Sequence, residues 1–224
     1  MCNNYPPQYF SQLVRIVNEK IKNYLKKMKK VMYLRGVLLF LVVVLMSCKE
    51  DTDKKIAQIE ATELAKGVRY DSLFLGLYLG MPNKDFYSKC WELNKQGILL
   101  AGSGNESVSL KTTELKHPAT INFYPTFRDN KIVEMPLQFQ YDSWAPWVRY
   151  AQPDSLQLDV LSLMERKYGR GFIKTNDKIF GLTFTKIEGN RKILIFQKPE
   201  MYVRVVFSDL TAVKKANQPN QKKG

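Results

Sequence analysis

Hydrophobic and polar positions alternate most regularly over residues 133–141. Val133, Met135, Leu137, Phe139 and Tyr141 interleave with Glu134, Pro136, Gln138 and Gln140. A period of two turns one side of a strand to a core and the other to water, as in an antiparallel sheet covered on one side. Pro136 has no amide proton to give to a ladder, which predicts an edge strand or a bulge. Further strands are predicted near residues 108–115 and 120–124, and again over 181–187, 192–197 and 201–207. Tight-turn sequences, Glu188-Gly189-Asn190 and Lys198-Pro199-Glu200, join the last three.

Elsewhere the spacing becomes helical. Met81-Pro82-Asn83 and Gly97 bracket one helix, proline suiting a first turn and glycine the left-handed position past the end. Phe86, Tyr87, Cys90, Trp91 and Leu93 share a side of it, so it is predicted to bury an aromatic stripe. Asp154 to Gln157 makes a capping-box-like start for a second helix, with Leu156, Val160, Leu163 and Met164 on its buried side and Gly169 beyond its end. Residues 49–68 are charged and without aromatics, a tether or a short helix, and residues 212–224 read as a polar, disordered tail. The order helix, strands, helix, strands predicts an α+β fold over residues 69–211, two helix-plus-antiparallel-sheet units forming one domain.

The N-terminal region departs from this pattern. A basic segment from Met28, MKKVMYLRG, leads into the apolar run VLLFLVVVLM at 37–46, then Ser47 and Cys48. At about 1.5 Å per residue the run reaches about 15 Å, half the hydrocarbon thickness of a bilayer. A basic segment, a short apolar run and a small residue before a processing point are the plan of a secretory signal peptide, which makes residues 1–47 a signal region. Leu45-Met46-Ser47-Cys48 resembles the lipobox of bacterial lipoprotein signal peptides. The resemblance implies diacylglycerol on the Cys48 thiol, cleavage before that residue, and a lipidated tether at 48–68. Cys48-Lys49-Glu50-Asp51 is similar to the export signal of Bacteroidota-type surface lipoproteins, with a plain solvated tether as the alternative. The implied location is the cell envelope, lipid-anchored at the outer membrane on its periplasmic or surface face. The implied partners are the membrane, through the lipid, and an outer-membrane or surface protein. Residues 1–27 are long for a signal's basic segment. Translation from Met28 or Met32 accounts for them; an amphipathic cytoplasmic helix with Leu13, Ile16, Val17, Ile21 and Tyr24 on one face is the alternative.

Composition and charge narrow the functions further. With 45% hydrophobic and 25% charged residues in 224, the chain can build one domain with a core. Residues 1–47 carry eight Lys and Arg against Glu19 and so supply +7 of the net +14. The remaining basic residues are spread among acids, without zinc-finger spacing or an RNA-binding aromatic motif, so no nucleic-acid partner is expected. Of Cys2, Cys48 and Cys90, only the last stays free once the first is removed and the second acylated. No disulfide framework follows, and Cys90 reads as a small buried hydrophobe.

Candidate chemistry is sparse. His117, the sole histidine, sits in Lys116-His117-Pro118 and is expected to be an exposed loop residue. Gly102-Ser103-Gly104 lacks the spacing of a nucleophile elbow, and neither a Cys or His pair nor a calcium loop is present. Glu134, Asp142, Asp154 and Asp159 read as surface charges, Asp154 also as a helix cap. The expectation is a non-enzyme with no cofactor and no metal site. Leu79-Gly80-Met81-Pro82-Asn83-Lys84-Asp85-Phe86, with the order of elements, resembles small lipoproteins of the BamE type and the beta-lactamase-inhibitor-protein-like fold. It implies a non-catalytic protein that binds other proteins at the envelope. Tyr141, Trp144, Trp147 and Tyr150 form the one aromatic concentration, at the junction of the two units. They either present rings to a glycan, peptide or protein, or Trp144 and Trp147 plug the seam. The leading expectation is a lipid-anchored interaction or assembly module; the alternative is a small-ligand or glycan binder using Trp144 and Trp147.

Overall fold

A computed structural model of the chain describes residues 52–102, 107–143, 145, 147–198 and 202–217, together with Lys26. Cys48 and Trp144 lie outside the described residues, as do residues 1–47 apart from Lys26. In chain order the elements are α1 (Thr52–Ala65), α2 (Asn83–Lys95), β1 (Leu99–Ala101), β2 (Val108–Thr112), β3 (Ala119–Phe123), β4 (Thr126–Arg128) and β5 (Lys131–Tyr141). After a 3-10 turn (Arg149–Ala151) come α3 (Pro153–Tyr168), β6 (Ile173–Asp177), β7 (Gly181–Glu188), β8 (Arg191–Lys198), β9 (Tyr202–Asp209) and α4 (Leu210–Asn217). The fold is α+β, a single domain on one nine-stranded antiparallel sheet in the order β1-β2-β3-β5-β9-β8-β7-β6, with β4 added alongside β5.

That order repeats a helix followed by a meander. Each unit closes on a strand, β5 or β9, and these two strands pair with each other at the centre. Met135 faces Phe207, Leu137 faces Val205 and Phe139 faces Val203 across this pair, all of them buried. Burying each such side chain contributes about 1.5–3 kcal/mol, so the central pair is a main source of cohesion between the units. Helix α3 lies over β5, β8 and β9 through Leu156, Val160, Leu163 and Met164, and α2 covers the β1 end through Phe86 and Leu93.

The turn into α2 shows why its sequence reads Leu79-Gly80-Met81. The Gly80 amide donates to the Ile132 carbonyl at 2.8 Å and the Ile132 amide to the Met81 carbonyl at 2.9 Å, which ties the turn to the start of β5. Gly80 does this at φ 84°, a conformation that costs a side-chain-bearing residue about 1–2 kcal/mol.

Several expectations are corrected. Pro136 lies not on an edge strand but on β5, which is central; it faces Val206 on one side. On the other side β3 pairs only as far as Leu137 and β4 begins only at Glu134, with a register shift between Thr126 and Phe127. Pro136 therefore sits opposite a gap in the pairing, beside an irregularity of the β4–β5 pair, the kind of place where a sheet accommodates proline. Helix α2 does not bury an aromatic stripe: Phe86 and Leu93 are buried, Cys90 is half-buried, but Tyr87 is 51% and Trp91 64% exposed. A helix turns about 100° per residue, so the Tyr87/Trp91 pair sits on the flank beside the Phe86/Cys90/Leu93 line. Helix α3 begins at Pro153 with no side-chain cap; the Asp154 carboxylate accepts the Ser155 amide instead. Residues 212–217, expected as disordered tail, belong to α4, and β1, β4 and β6 are strands that the pattern did not reveal.

Helix α1 is held against the sheet rather than extended as a tether. Glu60 pairs with Lys192 at 2.9 Å, and the Gly189 amide donates to Glu63 at 3.1 Å. A Cβ on Gly189 would stand 2.2 Å from the Val68 carbonyl oxygen, so the β7–β8 turn must be glycine for the chain to pass. Asn190 then receives the Tyr70 amide at 2.7 Å and donates to Asp71 at 2.8 Å. This clamp fixes where residues 70–75 cross the sheet.

Candidate functional site

Residues 70–75 form a strap over the covered side of the sheet, and between the strap and α3 opens a cleft of about 620 Å³. The strap runs from polar Asp71-Ser72 into apolar Leu73-Phe74-Leu75. It is held by backbone bonds from Leu73 to Leu77 and from Leu77 to Phe74, both 2.9 Å, and by the Phe74 ring set edge-on to Phe123 at 4.9 Å. Leu75 adopts φ 53°, a left-handed position that a leucine takes only under constraint from its surroundings. Ile121, Leu137, Phe139 and Phe207 make the floor, Leu163 and Met164 the far wall, and Leu73, Phe74 and Leu75 the near wall.

Polar groups gather at one end. Arg191, at the start of β8, is only 6% exposed. Its Nη1 donates to the Ser72 carbonyl at 2.7 Å and its Nη2 to Glu188 at 3.0 Å. The guanidinium lies 4.9 Å from the Tyr168 ring centre and 5.7 Å from that of Tyr70, both cation–π distances. Its Nε is buried without a hydrogen-bond acceptor. Lys186, also 6% exposed, donates to the Tyr168 and Arg170 carbonyls at 2.5 and 3.0 Å and pairs with Glu188 at 2.9 Å. It therefore caps the negative end of the α3 dipole with a buried ammonium. Glu188 is thus shared by two cations. Burial pushes the Tyr168 phenol up to about 12, so it remains a donor at neutral pH. Its hydroxyl has no hydrogen-bond partner among the described residues. At the rim Lys167 pairs with Glu114 at 2.6 Å.

The aromatic concentration at 141–150 does not act as one surface. Tyr141 is 3% exposed and donates to Asp159 at 2.8 Å, so it belongs to the core. Burial, and then the Asp159 carboxylate, push its phenol far up. Asp159, expected at the surface, is 3% exposed and also accepts the Lys116 amide at 2.7 Å. Two donors on one carboxylate make its burial tolerable. His117 is half-buried rather than exposed, stacked on Tyr150 at 4.0 Å. Tyr150 is 44% and Trp147 85% exposed, which removes Trp147 from the seam. Trp144 lies outside the described residues, as does Cys48.

The cleft was missed in the sequence, though two signals of it were present. Leu73, Leu75, Leu77, Leu79 and Met81 recur at a period of two, and Leu73, Leu77, Leu79 and Met81 are buried, which marks a segment that packs one side inward. Lys186, Glu188 and Arg191 stand on the side of β7 and β8 that also carries Phe184 and Ile193, so polar residues occupy a buried phase. Among the described residues no cluster of His, Cys, Asp or Glu is suited to a metal, and no helix is long and apolar enough to cross a membrane.

No protein-family model matches the chain, and no curated protein and no solved structure matches it either. The lipobox and helix-start resemblances rest on the residues quoted for them. The cleft is read from its own chemistry: it can hold an apolar molecule and meet a polar group at Tyr168 and Arg191.

Proposed function

We propose that the protein is a non-enzymatic binding protein of the cell envelope, anchored through lipid on Cys48, that carries a small amphipathic ligand in the cleft between α3 and the strap. The observation that supports this is the cleft itself, whose apolar floor ends at Tyr168 and Arg191. Anchoring is supported by the basic segment, apolar run and Ser47-Cys48 junction of residues 28–48. Diacyl or triacyl attachment binds stably where a single chain does not. Cys48→Ser is expected to abolish acyl labelling, and the intact mass of membrane-extracted protein to begin at Cys48.

The ligand reading is tested by solvent extraction of protein purified from native membranes. A small molecule near one per chain is expected, with stability falling on its removal and recovering on its return. Saturation at about 100 times Kd corresponds to about 2.7 kcal/mol. A chain that yields no such molecule, and whose melting is indifferent to extraction, refutes the reading. A second reading, a protein-assembly module, is favoured by the exposed Trp147 and Trp91. A pull-down from gently solubilised membranes decides between them: a stoichiometric membrane partner, lost with Trp147→Ala at unchanged stability, supports assembly.

A further inference from the structure

We propose that the cleft takes a long-chain aliphatic carboxylate, its chain over Leu137, Phe139 and Phe207 and its head at the Tyr168–Arg191 end; this rests on the ligand-binding reading above. The volume and lining select a chain. A space of about 620 Å³ lies within the range of about 300–1,000 Å³ usual for ligand sites. Its floor and facing walls are aliphatic or aromatic, so the ligand needs no polar group along its length. Every strongly polar side chain around it gathers toward the opposite end.

The unused donors select the head. Glu188 is shared by Lys186 and Arg191, and Arg69 by Asp71 and Asp209, so the fixed charges at that end balance. Arg191 Nε, buried there without an acceptor, is what an entering carboxylate oxygen satisfies. The Lys167–Glu114 pair at the rim has side chains 41% and 56% exposed, so an entering carboxylate displaces Glu114 at little cost. The Tyr168 hydroxyl supplies a donor that no described residue uses. An alkane of the same length fits the floor but offers Arg191 Nε and the Tyr168 hydroxyl no acceptor, and an alcohol offers one neutral oxygen where a carboxylate offers two charged ones.

The test uses the full-length, membrane-extracted protein in an amphipol. It is photolabelled with hexadecanoic acid bearing a mid-chain diazirine, or with the hexadecanol of the same design, and labelled peptides are mapped. The acid is expected to label peptides of α3 and β9, at least tenfold more strongly than the alcohol. Unlabelled competitors are expected to weaken roughly fourfold for each methylene removed. Met164→Trp, which fills the cleft, is expected to lower labelling by both probes at least tenfold. Tyr168→Phe keeps the ring beside Arg191 and Phe207 and is expected to lower acid labelling about tenfold with the alcohol unchanged. Equal labelling by acid and alcohol, insensitive to Tyr168→Phe, would overturn the carboxylate class and leave the ligand-binding reading standing. No cleft labelling by either probe, in protein whose circular dichroism and melting are intact, would overturn both.

Discussion

Replacing Tyr141 by phenylalanine separates a core residue from a binding residue. The Tyr141 ring is 3% exposed, and its hydroxyl gives a 2.8 Å hydrogen bond to the Asp159 carboxylate. Phenylalanine fills the same space, so no cavity cost arises; what is lost is one hydrogen bond to a charged acceptor, about 1.5–3 kcal/mol. Asp159 keeps the Lys116 amide as its second donor, which limits the loss to that range. For a domain of this size each kcal/mol moves the melting temperature by about 2–4 °C, giving an expected drop of about 3–12 °C. Thermal and urea unfolding of the chain from residue 49 measure it, with the urea slope expected to stay constant. The cycle with Asp159→Asn should show coupling, since the two side chains share the bond. A loss below about 0.5 kcal/mol would refute the reasoning and return Tyr141 to the binding surface where the sequence had placed it.

Lys186→Met removes the donor to the Tyr168 and Arg170 carbonyls and one partner of Glu188. Urea unfolding is expected to show a loss of about 3 kcal/mol, and a loss under about 1 would mean that the α3 terminus is satisfied without it. At Asp209 burial pushes the carboxyl up, but the Thr211 hydroxyl, Arg69 and the Thr211 amide outweigh this and hold it below the usual range. A depressed folded value contributes stability that is present above the unfolded value, about pH 4, and lost as pH falls through the folded one. Stability curves measured toward lower pH should therefore fall less steeply for Asp209→Asn, and parallel curves would contradict the assignment. Burial pushes the Cys90 thiol up to about 11, so at pH 8 roughly one thiol in a thousand is ionised. Alkylation of the folded protein by iodoacetamide should be far slower than of the urea-unfolded chain, and equal rates would refute this.

Much of the sheet was legible because its central strands obey the simplest pattern. The alternation at 133–141 and the turn at 188–190 lie in the part of the fold where register is set by burial, while Pro199 and Glu200 of the turn expected at 198–200 fall outside the described residues. The three missed strands are short or peripheral. β1 and β4 have three residues each, and β6, with the sequence IKTND, sits at the sheet edge where neither side is fully buried. Helix spacing was readable, but which side of α2 faced the core was not, because Phe86, Tyr87, Cys90, Trp91 and Leu93 cover too wide an arc for pattern alone. Only the position of the sheet leaves Tyr87 and Trp91 outside. Asp159 and Tyr141 illustrate the remaining limit. Each looks like surface or site chemistry in isolation, and their 2.8 Å bond appears only when α3 is laid on β5.

The duplicated architecture accounts for where the candidate sites fall. In each unit a connection leads into the helix, residues 70–82 before α2 and residues 142–152 before α3. The sheet dictates the regular elements of both copies, since every strand must pair and every helix must cover apolar side chains. It dictates the connections far less. The second is pinned by Ala151 and Val148, which leaves Trp147 outward. The first has drawn Leu73, Phe74 and Leu75 inward, while α3 lies over β5, β8 and β9 and α2 lies over β1 and, through Phe86 against Phe127, β4. Above Leu110, Ile121 and Leu137 neither helix closes the layer, and a single loop must do so. A loop carrying three apolar side chains cannot fill the volume that a helix would, and the cleft is the remainder. Its polar end follows from the same geometry: the strap crosses the sheet beside the β7–β8 turn, where Glu188 and Arg191 already serve to hold it. The residues that fasten the strap are therefore the ones that meet whatever enters beneath it.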